Sequence, residues 1–159
     1  MTTTIAPQVT HLRTLHLVDL ENLVGDPMAT GPDALDALHR YLHIAGWTDG
    51  DHVVLAANPG LLRRMMFDLS IPCSVHAVTG KDAADLMLIE HAPPDWVAAR
   101  FARLVVGSGD AEFTATALAV RDLGVPVVVV SRGGSLSGSL QGEGLGIRIL
   151  PEPVLTLAA

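Results

Sequence analysis

The stretch RLVVGSGDAEFTATALAVRDLGVPVVVV, residues 103 to 130, reads as a strand, a turn, a helix and a second strand. The β-branched runs at 103–107 and 125–130 predict the strands, and the fully apolar second run is typical of a parallel strand buried on both faces. Between them, residues 111–123 predict a helix that Gly124 ends. Because strand, helix and parallel strand are the repeating unit of α/β proteins, this stretch predicts that fold class.

The same alternation continues along the rest of the chain. Other strands are predicted at 14–19, 52–56 and 74–78, with a short last one at 147–150. Helices are predicted from Thr30-Gly31-Pro32 to Gly46, after Asn58-Pro59, at 82–91 and at 94–101. A Gly/Ser-rich loop is predicted at 131–146, with room for a short helical turn. We therefore expect one doubly wound domain with a mainly parallel sheet of about five strands. In such sheets ligands bind outside the carboxyl ends of the strands.

Length and composition limit the class of protein. The chain has 159 residues, of which 49% are apolar and 17% are charged, as expected for one globular domain. We expect the domain to span residues 14–151, between an N-terminal tail (1–13) and a C-terminal tail (152–159). Cys73 is the only cysteine, which excludes a disulfide framework and a CxxC zinc site and fits a reducing cytoplasm.

Charge and hydropathy exclude further classes. The net charge of −7 argues against a protein that coats nucleic acid through bulk positive charge, but it permits an enzyme that neutralises phosphates with metal ions. The N-terminus shows no signal-peptide pattern, and the longest apolar run, 125–130, is too short to span a membrane. A cytoplasmic protein without a membrane segment is expected.

Acidic residues follow two of the predicted strands. Asp19 ends the first strand, and Asp110 follows the fourth after a Gly-Ser-Gly turn. Either residue alone could be a turn former or a helix N-cap. A doubly wound order could place the two strands side by side, however, and two carboxylates that converge repel each other unless a cation holds them. The pair therefore favours a metal site.

A third acidic cluster lies in TGKDAADLMLIEHA, residues 79–92. Asp82 and Asp85 share a helical face; Asp82 suits a helix start, whereas Asp85 interrupts an apolar run and needs a partner inside the protein. Glu112 either serves the dipole of its helix or adds a fourth ligand. Oxygen ligands without a His or Cys cluster suit a hard ion such as Mg²⁺ or Mn²⁺.

The chain contains, in this order, the stretches LHLVDLENL, GKDAADLMLIEHA and LVVGSGDAEFTATALAVRDLGVPVVVVS. Together these three stretches resemble the successive motifs of the NYN domain family, a branch of the PIN-like and flap-nuclease-like ribonucleases. The resemblance covers about residues 14–151. It implies a three-layer α/β/α sandwich with PIN-like, Rossmann-like topology. It also implies a metal-dependent RNA endonuclease that leaves a 5′-phosphate and a 3′-hydroxyl.

Carried over by position, the resemblance implies catalytic roles for Asp19, Asn22, Asp85 and Asp110. Asp19, Asp85 and Asp110 match the metal-binding acids, and Asn22 matches an asparagine that positions the site or the substrate. Glu112 stands where the family often has aspartate. Metal ions held by these acids would activate a water and neutralise the scissile phosphate. Glu21 has no matched role and is expected to face solvent.

Substrate contacts are predicted at Lys81, Ser108 and Arg132, with the Gly/Ser-rich loop offering backbone amides to the phosphates. For Lys81 and Arg132 a solvated surface role is the competing interpretation. RNA is the expected partner, and the sequence leaves a homodimer open.

Two other functions compete with a nuclease. A module of the same fold could bind RNA or metal without efficient cleavage. A phosphatase of the haloacid dehalogenase type would need an aspartate two residues after Asp19, where this chain has Glu21. A dinucleotide-binding protein would need a Gly-rich turn after the first strand, and the sequence there does not supply one.

Overall fold

A computed structural model describes residues 13–142 and 144–154. It shows six parallel strands between two layers of helices, which confirms the predicted α/β/α sandwich. The strands are β1 (Thr14–Asp19), β2 (His52–Ala57), β3 (Ser74–Ala77), β4 (Arg103–Gly107), β5 (Val127–Arg132) and β6 (Leu145–Leu150). The helices are α1 (Leu20–Val24), α2 (Gly31–Ala45), α3 (Pro59–Met65), α4 (Ala83–Glu90), α5 (Pro94–Arg100) and α6 (Thr114–Asp122). Short 3₁₀ turns lie at Met66–Asp68, Ala111–Phe113 and Gly138–Gln141.

The strand order is β3-β2-β1-β4-β5-β6, so the chain runs outward from β1 to one edge and then returns to build the other half. The reversal lies between β1 and β4, which pair in parallel with Val18 opposite Gly107. A crevice forms at such a reversal, because the connections leave the two strands in opposite directions. The predicted acids at the ends of β1 and β4 therefore flank the place where this fold binds ligands.

Alternate side chains of each strand enter two separate cores. In β1, Leu15 and Leu17 pack under α4, α5 and α6, while Val18 packs with α1, α2 and α3. Every residue of this strand is buried. Burial on both faces fits the apolar residues Leu15, Leu17 and Val18, as in central strands of parallel sheets.

The main helix signals are confirmed. Thr30 and Asp33 form a capping box at the start of α2, and Gly46 ends that helix with φ 70°. The Asn58 side chain accepts a hydrogen bond from the Leu61 amide at the start of α3. These caps satisfy amide groups that the first turn of a helix leaves unpaired.

The structure differs from the sequence expectation in several elements. The sheet has six strands instead of about five, since the last strand extends over Leu145–Leu150 at an exposed edge. Helix α1 was not predicted, because five residues are too few to show a helical period. Strand β5 begins after Pro126, at Val127, and the predicted helix at 111–123 starts as a 3₁₀ turn before α6. The Gly/Ser-rich loop does contain a turn of helix, at Gly138–Gln141.

A buried polar network joins the helix layer to the amino end of the sheet. His16 Nδ1 lies 2.9 Å from the Tyr41 hydroxyl, and His16 Nε2 lies 3.3 Å from Asp51 Oδ2. Burial lowers the pKa of His16 and so favours the neutral imidazole in the folded protein. The network satisfies its own polar groups, which agrees with a packing role for this histidine.

The two predicted tails fall mainly outside the described structure, which begins at residue 13, ends at residue 154 and leaves out residue 143. Residues 151–154 follow β6 without regular structure. None of the helices in the described ranges is both long and apolar enough to cross a membrane.

Candidate metal centre

The acidic residues come together at the carboxyl edge of the sheet. Asp19 is the last residue of β1, and Asp110 follows β4 by three residues. Since β1 and β4 are neighbours, the two turns lie side by side, as the sequence predicted. Helix α4 packs across β1 and β2 and carries the third acid, Asp85, to the same edge.

Three carboxylates form a compact group. Asp82, Asp85 and Asp110 each offer one oxygen, and these oxygens all lie within 4.8 Å of one another. Such a group can hold a divalent cation, for which carboxylate oxygens are the usual protein ligands. The convergence of Asp85 with Asp110 was predicted from the sequence. The participation of Asp82 was not.

Asp19 is outside this group of three but adjoins it through Asp85. Asp85 is close enough to Asp19 and to Asp110 for these neighbouring acids to raise its pKa. The Asp19 Oδ1 atom accepts a hydrogen bond from the Asn22 amide at 3.3 Å, which caps α1. Asp85 therefore lies between the acid of β1 and the acid that follows β4, close enough for all of them to serve one centre.

Burial and repulsion by neighbouring acids disfavour the ionised form of Asp85 when no cation is bound. The residue is only 3% exposed, and its Oδ1 has no hydrogen-bond partner among the described residues. Burial first, then the neighbouring Asp19 and Asp110, raise the pKa of Asp85 to about 8. Burial also raises the pKa of Asp19. A buried oxygen without a donor, surrounded by other acids, is what a bound cation would satisfy.

Asp82 reaches the centre because of an unusual backbone. Its φ is 58°, the one positive value among the described residues other than glycine, and its side chain makes no cap bond to α4. Aspartate tolerates this region better than most residues, because its short side chain can bond locally. The sequence places Asp82 correctly at a helix start and on the face of Asp85, but the spacing alone does not reveal the turn.

Asn22 and Ser108 hold the two strand-end turns together. The Asn22 Oδ1 atom accepts a hydrogen bond from the Gly109 amide at 3.1 Å, which links the β1 turn to the β4 turn. Ser108 is fully buried, and its Oγ accepts a hydrogen bond from the Asp110 amide at 3.2 Å. Asn22 thus links the two turns, whereas Ser108 shapes the second turn from inside the protein.

Gly109 is required by close packing against the Gly/Ser-rich loop. A Cβ at this position would lie 2.2 Å from the Ser135 carbonyl oxygen and 2.4 Å from the Ser131 Oγ. The Ser137 amide also donates to the Gly109 carbonyl at 2.8 Å. The loop therefore supports the turn that carries Asp110.

We expect Gly109→Ala to destabilise the protein by about 1–3 kcal/mol, because an inserted methyl group forces this turn away from the loop. Asp110 moves with the turn, so the affinity for Mn²⁺ should fall as well. Gly138→Ala, in the loop against which this turn packs, is the matched control, since a Cβ at Gly138 meets nothing within 4 Å. Urea unfolding and Mn²⁺ titration calorimetry measure both effects. Equal values for the two variants would contradict the supporting role of the turn.

The other predicted site residues lie around this group. Glu112 is exposed, its amide donates to Asp110 Oδ1 at 3.0 Å, and its carboxylate is not one of the three that converge. Lys81 is exposed and lines the cavity over the acids. Arg132 is half-buried, and its Nε donates to the Asn22 carbonyl at 3.3 Å. Glu21 is exposed as expected, but it also accepts a hydrogen bond from the Asn58 amide.

An open cavity of about 240 Å³ covers the acidic residues. Asp19, Asn22, Asp85 and Asp110 line it, and Lys81 is its one cationic lining residue in the described chain. The arrangement can hold a hard divalent cation beneath an anionic ligand, with an ammonium group at the rim. Comparisons with protein-family models, with curated proteins and with solved structures give no match.

Proposed function

We propose that the protein is a metal-dependent endoribonuclease that hydrolyses RNA phosphodiester bonds at this acidic centre, with Mg²⁺ or Mn²⁺ as the cofactor. The observation that carries the proposal is the buried Asp85 carboxylate, which has an unpartnered oxygen and lies among Asp19, Asp82 and Asp110. A group of acids that cannot all ionise together favours a divalent cation over an empty site. RNA as the substrate follows from the motif resemblance.

The residues divide into ligands and positioning groups. Asp82, Asp85 and Asp110 hold the ion, and Asp19 adds a further negative charge beside Asp85. Asn22 and the Gly109 turn keep the acids of β1 and β4 in register. A divalent ion held there supplies Lewis-acid chemistry, lowering the pKa of a water and neutralising the charge of the phosphate. Lys81, at the rim of the cavity, orients the phosphate by charge.

One alternative keeps the fold and the site but not the reaction. A net charge of −7 and a single lysine in the cavity also suit a module that binds metal or RNA with a partner and cleaves poorly. A haloacid-dehalogenase-like phosphatase is disfavoured, because the residue two positions after Asp19 is Glu21 and not the aspartate that this type of enzyme requires.

The test is a cleavage assay on total cellular RNA with Mg²⁺, with Mn²⁺ and with EDTA. We expect shortened RNA with either ion and none with EDTA, and products whose 5′-phosphate supports ligation without prior phosphorylation. A preparation of the Asp110→Asn variant, purified in the same way, controls for contaminating nucleases. Intact RNA under every condition, together with Mn²⁺ binding to the folded protein, would favour the binding module instead.

A further inference from the structure

A second cavity lies next to the acidic one and shares a wall with it. It has a volume of about 310 Å³ and is lined by Glu21, Asp26, Pro27, Asn58, Leu61 and Arg64, together with Gly25. Glu21 lines both cavities. A polymer whose phosphate lies over the acids can therefore place a neighbouring group in this second cavity, which we call the side cavity.

Two carboxylates of the side cavity are held in place by the backbone. Glu21 accepts a hydrogen bond from the Asn58 amide, and Asp26 Oδ1 accepts one from the Met28 amide at 2.8 Å. Each carboxylate has about four acceptor positions, so both can take further hydrogen bonds from a ligand. The side cavity thus presents fixed acceptors.

Arg64 supplies the donors. Other arginines are engaged within the protein: Arg40 pairs with Asp36, and Arg103 donates to the Ala45 carbonyl. Arg64 is exposed and lines the side cavity, and its side chain forms no hydrogen bond or ion pair with any residue in the described ranges. Its Nη1 lies 3.7 Å from where a Cβ on Gly60 would be, so the guanidinium lies back along α3 toward Asn58.

We propose that the side cavity receives an unpaired guanine of the RNA, adjacent to the phosphate that lies over the acids. Guanine combines N–H donors on its N1 and N2 edge with acceptors at O6 and N7. Carboxylates accept from the first edge, and the fork of an arginine matches the second. Pro27 and Leu61 provide apolar surface for the base. Adenine and the pyrimidines lack this combination of two donors on one edge and two acceptors on the other.

The inference rests on the proposed function for the position of the phosphate, and it names the substrate as single-stranded, guanine-containing RNA. A base in a duplex has its N1 and N2 edge occupied by pairing, so it cannot offer those donors to the carboxylates of the side cavity. Arg64 is then a specificity residue outside the metal centre.

Fluorescence anisotropy of short labelled single-stranded RNAs tests this inference. The oligonucleotides are identical except for one central guanine, adenine or inosine. Ca²⁺ replaces Mn²⁺ in the binding buffer so that a divalent cation neutralises the acidic residues. A gel run after each measurement confirms that the RNA is intact. We expect roughly tenfold tighter binding of the guanine RNA than of the adenine RNA, as one well-made bidentate base contact provides. Inosine, which lacks the N2 donors, should fall between them.

The matched variants are Arg64→Ala and Arg63→Ala, neighbouring exposed arginines of which only Arg64 lines the side cavity. We expect Arg64→Ala to remove the guanine preference and Arg63→Ala to keep it, with equal thermal unfolding of both. A wild type that binds all the RNAs equally, or does not bind them, overturns the inference, and so does an Arg64→Ala variant that keeps the preference. If an Arg64-dependent preference is found but Mn²⁺ gives no cleavage, the proposed nuclease fails and the base pocket stands.

Discussion

Asp85→Asn is expected to abolish metal-dependent RNA cleavage and, at the same time, to make the metal-free protein more stable than the wild type. The two effects share one cause. A buried carboxyl group between Asp19 and Asp110 is needed to hold a cation, and without the cation it must bind a proton that the unfolded chain does not bind near neutral pH, which lowers the stability of the folded state. Asparagine keeps the shape and has no such proton to bind. We expect a gain of at least about 2 kcal/mol in the free energy of unfolding near neutral pH without metal.

The raised pKa of Asp85 determines whether the stability of the metal-free wild type rises or falls with pH. The pKa of Asp85 is about 8 in the folded protein and close to the ordinary aspartate value of 3.8 in the unfolded chain. Between these values the folded state binds the extra proton, so stability falls as the pH rises through the window from about 4 to about 8. From about pH 7 to about pH 9 ionisation of Asp85 lowers the free energy of unfolding by roughly 1 kcal/mol. The lowered pKa values of His16, His52 and His76 change stability mainly below about pH 7, outside the range from about pH 7 to about pH 9.

Urea unfolding at these two pH values, with EDTA and then with Mn²⁺, measures the prediction. The wild type should lose stability toward high pH in EDTA and regain it with Mn²⁺, whereas Asp85→Asn should be nearly flat and indifferent to Mn²⁺. Glu90→Gln is the control, an exposed acid on the same helix. A metal-free Asp85→Asn protein that is less stable than the wild type would show that Asp85 has a structural partner instead of a cation.

Much of the fold could be predicted from local chemistry. Gly46 and Asn58 marked helix ends, since caps are short-range features. The buried strand at 127–132 was recognisable from its valines. Strand β6 was underestimated, because an exposed edge strand with Gly146 and Arg148 lacks the apolar run of a central strand.

The acids at the strand ends of the candidate site could be predicted from the sequence, whereas the role of Asp82 and the side cavity could not. Asp19 and Asp110 converge because parallel strands end at one edge, which the alternation of elements implies. The role of Asp82 depends on a positive φ, and the side cavity is lined by residues of both α1 and α3. Neither the backbone angle of one residue nor a cavity between two distant segments can be predicted from the spacing of residues within one segment.

A pair of neighbouring variants decides which acids form the metal centre. Asp110→Asn should reduce cleavage below detection and weaken Mn²⁺ binding by at least about tenfold, since loss of even an outer partner of a metal ligand commonly costs 10- to 100-fold. The Oδ1 of asparagine can still accept from the Glu112 amide, so the fold should remain intact. Glu112→Gln should retain most of the cleavage and the Mn²⁺ affinity, because this carboxylate is exposed and not among the three that converge.

Calorimetric titration with Mn²⁺ and the cleavage assay separate the outcomes, with thermal unfolding as the check on folding. If Glu112→Gln is as inactive as Asp110→Asn, the fourth ligand suggested by the family resemblance is real and Glu112 must turn toward the ion when it binds. If Asp110→Asn binds Mn²⁺ normally, the centre instead uses Asp19 with Asp85, on the β1 side of the crevice. In either case the comparison of Asp110→Asn with Glu112→Gln identifies the metal ligands. Because both residues lie in one turn, we expect the two substitutions to affect folding to a similar extent.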